Sequence, residues 1–146
     1  EYNMFARQKV EVEFSQLYET VGLGTTIWSP LASGVLSTKY LDKFPVGTRL
    51  GMDGLEWLKE KNLTPEKLDK VRLLNEIACE LNISLAQLGI IWCLKNEHVS
   101  TVILGASSTK QLEENLKVID LTHLLTDIFS VKIEQILDNK PLLPAF

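Results

Sequence analysis

VSTVILGASSTKQLEEN, residues 99–115, is the stretch of this sequence that decides its class of fold. Its first part, 99–104, is a run rich in β-branched residues that ends at Gly105, which is typical of a buried strand. Its second part opens with STKQ, 108–111, a capping box, and continues with apolar residues at helical spacing: Leu112, Leu116 and Ile119. A buried strand that enters a helix through a tight glycine turn indicates an α/β protein.

Two helices are predicted immediately before this stretch. Thr64 is an N-cap and Pro65 suits the first helical position, and apolar residues keep helical spacing from there to residue 81. SLAQ, 84–87, is a second capping box, and the helix behind it is apolar nearly all round over 88–94. We expect this second helix to be buried on several sides.

The N-terminal part of the chain begins the same alternation. Helical spacing of Phe14, Leu17, Tyr18 and Val21 predicts a helix over 12–21 that stops at Gly22. Residues 23–28 have the length and composition of a strand, which Ser29-Pro30 halts, and a further strand is expected to end at Glu1-Tyr2.

Two segments complete the order. Residues 33–56 contain scattered glycines and no periodicity, which predicts a long loop, and loops of that length are usually functional or mobile. A last helix is predicted over 126–138, with Phe129, Ile133 and Leu137 facing inward. Alternating elements imply parallel strands with right-handed helical crossovers. Because two or three parallel strands do not form a stable sheet covered on both faces, we expect the chain to be part of a larger fold.

The composition excludes several classes of function. The 146 residues carry 15 basic and 19 acidic side chains, a net charge of 15 − 19 = −4, without a block of like charge. An electrostatic nucleic-acid surface and a polybasic membrane anchor are therefore not expected. No apolar run approaches the roughly 18 residues of a membrane span. Cys79 and Cys93 are interpreted as buried, inert thiols in a reducing compartment, and the isolated His98 and His123 predict no metal site.

The first motif with chemical potential is WSPLASG, 28–34, at the end of a predicted strand, where ligand sites of α/β folds collect. Trp28 offers an aromatic face and Ser29 a hydroxyl, while Lys39 and Arg49 follow on the same loop and can reach an anion. The alternative is a buried tryptophan beside a proline turn, with two solvated cations.

The second motif is GASSTKQLEEN, 105–115, which also begins where a strand ends. Gly105 permits a close backbone approach, and the free N–H groups of the following helix, with nearby hydroxyls and Lys110, suit a phosphate. One helix face is expected to present polar groups that can bind a purine edge: Gln111, Glu114 and Asn115. The alternative is an ordinary capping box with polar surface residues. Glycine-rich dinucleotide and P-loop motifs are absent from the sequence.

At these motifs the chain resembles a known family. EYNMFARQKVEVE (1–13), GLGTTIWSPLASGVLSTKY (22–40) and SLAQLGIIWCLKNEHVSTVILGASSTKQLEEN (84–115) resemble the C-terminal half of the aldo-keto reductases, especially the voltage-gated potassium channel β-subunit-like subgroup. The resemblance implies a (β/α)8 TIM barrel, of which residues 1–146 form the C-terminal portion, from the end of strand six through strand eight and the terminal helices. It also implies binding of NADPH or NADP, reduction of aldehydes and ketones by hydride transfer, and a cytoplasmic protein.

The resemblance assigns cofactor contacts by position. Trp28 would stack on the nicotinamide and Arg49 would lie beside the adenosine end. The pyrophosphate would be held by Ser29, Pro30, Leu31, Ala32, Ser33 and Lys39, under a loop that closes like a belt. The 2′-phosphate would be held by Gly105, Ser107 and Gln111, and the adenine by Glu114 and Asn115. One departure is Gly47, where channel β subunits often carry a tyrosine.

The resemblance also implies what lies outside the chain. The aspartate, tyrosine, lysine and histidine or asparagine that set up proton donation come from earlier strands, and a glutamine for the nicotinamide should sit just before Glu1. No catalytic residue is therefore expected among these residues.

Three hypotheses remain at this stage. The first is a reductase with a small carbonyl substrate. The second is a channel β subunit that senses redox state through NADPH, with a potassium channel α subunit as partner and a tetrameric assembly. The third is an inactive remnant. Residues 1–146 alone are expected to aggregate or to need a partner half, because half a barrel leaves open edges and an uncovered core.

Overall fold

The computed structural model describes residues 1–42, 44–45 and 47–143. Over these residues the chain is an α/β protein, as the alternating pattern predicts. After a π-helical turn at Lys9–Glu13 come, in order, α1 (Ser15–Val21), β1 (Thr25–Ile27), α2 (Glu56–Asn62), α3 (Pro65–Glu80), α4 (Leu85–Leu94), β2 (Val99–Val102), α5 (Thr109–Leu116), α6 (Val118–Leu121) and α7 (Asp127–Leu137).

The two strands pair in parallel, which confirms the predicted orientation. Thr25 is opposite Val99 and Ile27 is opposite Val102, with a bulge between the first and second pairs. The Ile103 N–H donates to the Ile27 carbonyl at 2.8 Å, one residue beyond β2. Because the strands are parallel neighbours, their carboxyl ends lie at the same edge of the sheet.

The capping residues identified in the sequence lie at helix ends in the structure. Gly22 ends α1 in the left-handed conformation at φ 64°, which a glycine adopts without steric cost. The Thr64 hydroxyl accepts from the Lys67 N–H at 3.3 Å. At α4 the predicted capping box is reciprocal, with hydrogen bonds of 3.1 Å and 3.0 Å between Ser84 and Gln87.

The core is centred on α4, which confirms that this helix is buried on several sides. Leu88, Ile91 and Cys93 are fully buried, and α4 packs on α3, α5, α6 and β2. Helix α7 packs against α3, with Ile133 and Leu137 fully buried and Phe129 half-buried, as predicted.

The predicted loop over 33–56 is more structured than its composition suggests. It contains 3₁₀ turns at Ala32–Gly34, Thr38–Tyr40 and Arg49–Gly51, and its last residue begins α2, which the sequence analysis missed. Helix α2 has no side-chain N-cap, and it packs on the Arg49–Gly51 turn. It is therefore stabilised by tertiary contacts rather than by local signals.

Two expectations about the strands are wrong. Glu1-Tyr2 does not end a strand in the structure, although the Tyr2 N–H donates to the Trp28 carbonyl at 3.2 Å beside β1. The segment 99–104 is not buried throughout, since Val99 is 9% exposed but Ile103 is 52% exposed. The reason is that a two-stranded sheet leaves the outer edge and one face of β2 uncovered.

The helix faces predicted to point inward are also partly open. On α1, Leu17 is 41% and Val21 is 71% exposed. On α5 and α6, Leu112 is 41%, Leu116 is 50% and Ile119 is 70% exposed. The periodicity identified the apolar faces correctly, but nothing in the described residues covers them.

The two cysteines differ, so the expectation of two buried thiols is wrong for one of them. Cys93 is fully buried on α4, where burial raises the pKa of its thiol to about 12. Cys79 is exposed near the end of α3, because its position falls on the solvent side of the helix.

This difference predicts selective alkylation. Iodoacetamide at neutral pH should modify Cys79 in the native protein and leave Cys93 unmodified, because alkylation requires an accessible thiolate. Peptide mass spectrometry before and after denaturation measures both sites. Modification of Cys93 at the rate of Cys79 in native protein would contradict the buried position of α4.

Membrane-span criteria single out no helix by itself in the parts of the chain that are described. The pair α3 and α4 passes only when taken together, and the two helices are bent by 88° at their junction.

Candidate functional site

The two motifs emerge side by side. WSPLASG follows β1 and GASS follows β2, and these strands are hydrogen-bonded parallel neighbours. Their carboxyl ends therefore bring both motifs to one edge of the sheet, which is the edge where ligands bind in α/β proteins.

The backbone of WSPLASG is unusual. Ser29, Ala32 and Ser33 have left-handed φ values of 58°, 47° and 59°, and Gly34 follows at 90°. A non-glycine residue in this region costs on the order of 1 kcal/mol or more and persists only where its surroundings hold it. The Ala32 N–H closes a turn on the Ser29 carbonyl at 3.0 Å, with Pro30 at the turn's first central position.

Trp28 is exposed, with 54% of its surface accessible. The alternative of a buried tryptophan beside a proline turn is therefore wrong. The Trp28 carbonyl is held by the Tyr2 N–H, while Pro30 and Ala32 are buried beneath the loop. An anchored backbone with an open indole is suited to stacking on a planar ring.

Two cations flank this loop, as the sequence predicts. The Lys39 side chain lies against Gly34, so that a methyl group on Gly34 would come within 2.5 Å of the Lys39 Nζ atom. A larger residue at this position would have to displace the end of the Lys39 side chain, and the left-handed φ of 90° favours glycine in its own right. Arg49 is exposed on the turn Arg49–Gly51, which packs on the turn Ala32–Gly34. Both cations are available to an anion above the loop.

The second motif differs from the predicted capping box in one respect. The Ser108 hydroxyl accepts from the Gln111 N–H at 3.3 Å, as expected. The Gln111 Oε1 atom, however, accepts from the Ser107 N–H and from the Ser107 hydroxyl, both at 2.9 Å. The box is therefore not reciprocal at Ser108, because the side chain of Gln111 reaches one residue further back.

The polar face of α5 is only partly presented. Gln111 and Glu114 are exposed, and the Glu114 carbonyl accepts from the Gln87 side chain at 2.9 Å, which ties α5 to α4. Asn115 is only 7% exposed, so the expectation that all three side chains share one open face is wrong. Its position faces the core because α5 packs on α4 and α6.

The site is an open surface. Two cavities in the described part of the chain lie elsewhere, one between α3 and α7 and one around Arg7 and Trp92. Within the same residues, no group of three histidine, cysteine or carboxylate side chains has the geometry to hold a metal ion. What the edge offers is an exposed indole, hydroxyls, free helix N–H groups and cations, which is chemistry for binding an anionic nucleotide.

One residue beside the site was missed by sequence reasoning. Asn3 is 1% exposed and its Nδ2 atom donates to the Ser29 carbonyl at 3.0 Å. Its spacing from Ser29 follows no motif, so the only available signal was a polar residue at the end of a predicted strand.

Comparison with known proteins identifies the family of the chain. The model of the aldo/keto reductase family matches residues 1–138. The chain is 48% identical over 145 residues to an Arabidopsis thaliana protein named "Probable voltage-gated potassium channel subunit beta", which covers 99% of this chain and 44% of that protein. It is also 48% identical over 142 residues to a protein of the same name from Oryza sativa subsp. japonica, covering 97% of this chain and 43% of that protein. The chain thus spans less than half the length of these relatives, and it belongs to the aldo/keto reductase family.

Proposed function

We propose that the full-length protein is an NADPH-dependent reductase of aldehydes and ketones and that this chain supplies the cofactor-binding part. The observation that carries the proposal is the parallel pairing of β1 with β2, which brings the loop of the exposed Trp28 and the N-terminus of α5 to the same edge of the sheet. The nicotinamide would supply the hydride when bound. The residues of this chain bind and orient the cofactor.

The described groups fit such a cofactor. The open face of Trp28 suits the nicotinamide, and the bent backbone of residues 29–33 with Lys39 suits the pyrophosphate. Arg49 would approach the adenosine end. Gly105 leaves open space, and Ser107 with Gln111 presents hydroxyl and amide groups suited to the 2′-phosphate. Glu114 suits an adenine contact. Asn115 is buried, so only the small exposed part of its side chain would reach the adenine.

We further propose that residues 1–146 form the C-terminal portion of one (β/α)8 barrel. The apolar faces of α1 and of α5–α6 are open, and among the described residues β1 and β2 pair only with each other. Closure of a barrel would pair both edges and cover both faces. The proton donor to the carbonyl oxygen would then come from strands outside this chain. Two free cysteines fit a reducing cytoplasm.

The loop between the 3₁₀ turns would act as a belt over the cofactor. The Arg49–Gly51 turn packs on the Ala32–Gly34 turn, so the far end of the loop lies against the WSPLASG segment. We propose that this segment slows release of the cofactor. Val46, beside the departure at Gly47, lies outside the described residues.

Cofactor specificity tests the proposal. Full-length protein should oxidise NADPH in the presence of nitrobenzaldehyde and prefer NADPH to NADH. Gln111→Leu should weaken NADPH binding about 10-fold and leave NADH binding unchanged, since a hydrogen bond to a charged group is worth about 1.5–3 kcal/mol. Gln135→Leu, an exposed change on α7, is the control. The proposal would be contradicted if the wild-type protein bound neither cofactor, or if Gln111→Leu weakened the binding of NADPH and of NADH equally.

A second candidate is a channel β subunit that binds NADPH as a redox sensor, and the names of the two plant relatives favour it. Affinity purification from membranes in the native organism distinguishes the candidates. Recovery of a potassium channel α subunit with a tetramer of this protein supports the regulatory role. Brisk turnover without such a partner supports the reductase.

A further inference from the structure

Asn3 is placed to control the conformation of the loop 28–34. It is 1% exposed, and its Nδ2 atom donates to the Ser29 carbonyl across 26 residues of sequence. The orientation of the amide is fixed, because Oδ1 accepts from the Phe5 N–H at 2.9 Å. The second Nδ2 proton faces a Glu1 carboxylate oxygen at 3.5 Å.

The backbone around Asn3 is held as well. Asn3 and Ala6 exchange hydrogen bonds of 3.2 Å and 3.0 Å in an antiparallel bridge, so the segment is a closed turn. The preceding residue, Tyr2, donates its N–H to the Trp28 carbonyl. Two consecutive carbonyls of the loop, those of Trp28 and Ser29, are therefore held by two consecutive residues of this turn.

The hydrogen bond from Asn3 selects the left-handed state of Ser29. Rotation of Ser29 from φ 58° to an extended conformation would turn its carbonyl away from Asn3 and open the turn closed by Ala32. The amide of Asn3 would then be buried without its acceptor, which is costly. The hydrogen bond from Asn3 thus favours the left-handed conformation of Ser29, and that conformation provides the buried Asn3 amide with its acceptor.

We infer that Asn3 is a positioning residue for cofactor binding: it holds the Trp28–Ser29 peptide so that the indole and the 29–33 backbone face the cofactor together. The inference rests on the proposed function. Asn3 does not itself contact the cofactor in this account, and its effect is carried by the loop.

The test uses full-length protein and two variants. Asn3→Asp keeps an acceptor for the Phe5 N–H but removes the donor to Ser29, and Asn3→Ser keeps a small acceptor that is too short to reach Ser29. Asn96 provides the matched control. Its Oδ1 accepts from the His98 N–H at 3.0 Å and its Nδ2 donates to the Tyr2 hydroxyl at 3.1 Å, so Asn96→Asp and Asn96→Ser make the same changes at a side chain that contacts the turn, without removing a hydrogen bond to a loop carbonyl.

Amide hydrogen exchange in the absence of cofactor is the first measurement. The Ala32 and Gly34 N–H groups should exchange about 10-fold faster in both Asn3 variants, since the hydrogen bond that holds the Ser29 carbonyl is lost. The Ile103 N–H, which joins the strands, should be unaffected. The Asn96 variants should leave Ala32 and Gly34 unchanged.

NADPH affinity is the second measurement. The Asn3 variants should bind NADPH about 10-fold more weakly with an unchanged KM for the carbonyl substrate, and the Asn96 variants should bind like wild type. Unchanged exchange at Ala32 and Gly34, or unchanged NADPH affinity with faster exchange, would overturn the inference. A wild-type protein that fails to bind NADPH would instead overturn the proposed function, while hydrogen exchange still reports whether Asn3 holds the loop.

Discussion

Replacing Arg7 with methionine is expected to lower the free energy of unfolding by about 3–5 kcal/mol, the usual effect of breaking a buried ion pair from one side. Arg7 is 6% exposed and makes a bidentate pair with Glu11, at 2.9 Å from Nε and 3.0 Å from Nη2. Its Nη1 atom donates to Glu134 at 2.7 Å and to Asn139 at 3.1 Å. The guanidinium also lies 5.2 Å from the centre of the Trp92 ring.

The large effect follows from what is left behind. Burial alone would lower the pKa of Arg7, but hydrogen bonds to Glu11 and Glu134 outweigh it and raise the pKa, so the group stays charged. In Arg7→Met both carboxylates lose their partner while their side chains remain only 18% and 29% exposed. The hydrogen bond from Arg7 to Glu134 on α7, which joins residues 127 positions apart in the sequence, would be lost as well.

Arg72→Met is the matched control for this prediction. Arg72 pairs with Asp69 at 2.8 Å, but the two side chains are 50% and 73% exposed. Exposed pairs contribute about 0–1 kcal/mol, so this variant should be nearly neutral. Urea unfolding of the full-length variants measures both changes. If Arg7→Met and Arg72→Met lowered the free energy of unfolding equally, the ion pairs of Arg7 would not stabilise the contact between the N-terminal residues and α7.

Trp28→Ala is expected to weaken NADPH binding by roughly 10-fold to 100-fold, since stacking of a ring on an aromatic side chain is worth about 1–3 kcal/mol. The indole is 54% exposed, so it makes few core contacts and its removal should change the free energy of unfolding little. The affinity for the adenosine part alone, measured with 2′-phospho-ADP-ribose, should be retained, because that part would bind at Ser107 and Gln111.

Trp57→Ala separates a local effect from a general one. Trp57 is 59% exposed on α2 and lies outside both motifs, so NADPH affinity should not change. Fluorescence titration of NADPH with both variants measures the difference. Equal affinities in wild type and Trp28→Ala would remove Trp28 from the cofactor site.

Much of the fold was predictable because its signals are local. Helix α4 has a capping box and an apolar surface all round, and both are visible in the sequence. Helix α2 was not predictable, because it lacks a cap and depends on its contact with the Arg49–Gly51 turn. The spacing of Leu112 and Leu116 predicted which face of the helix is apolar. It did not predict what packs on that face, because periodicity carries no information about other elements.

The site shows the same division. The residue types and their positions after two strands could be predicted, since parallel strand ends meet at one edge. The conformation of the loop could not, because Ser29, Ala32 and Ser33 adopt left-handed angles that their residue types do not favour. The loop is also held from a distance in sequence, because the carbonyls of Trp28 and Ser29 accept hydrogen bonds from Tyr2 and Asn3.

The proposed site depends on the ends of β1 and β2 holding NADPH together. A crystal structure of the full-length protein grown with NADP⁺ tests it most directly. The account predicts the nicotinamide stacked on Trp28, the pyrophosphate over the loop that follows it, and the 2′-phosphate beside Ser107 and Gln111. Cofactor bound at a different edge of the fold, or a site left empty at saturating NADP⁺, would contradict it.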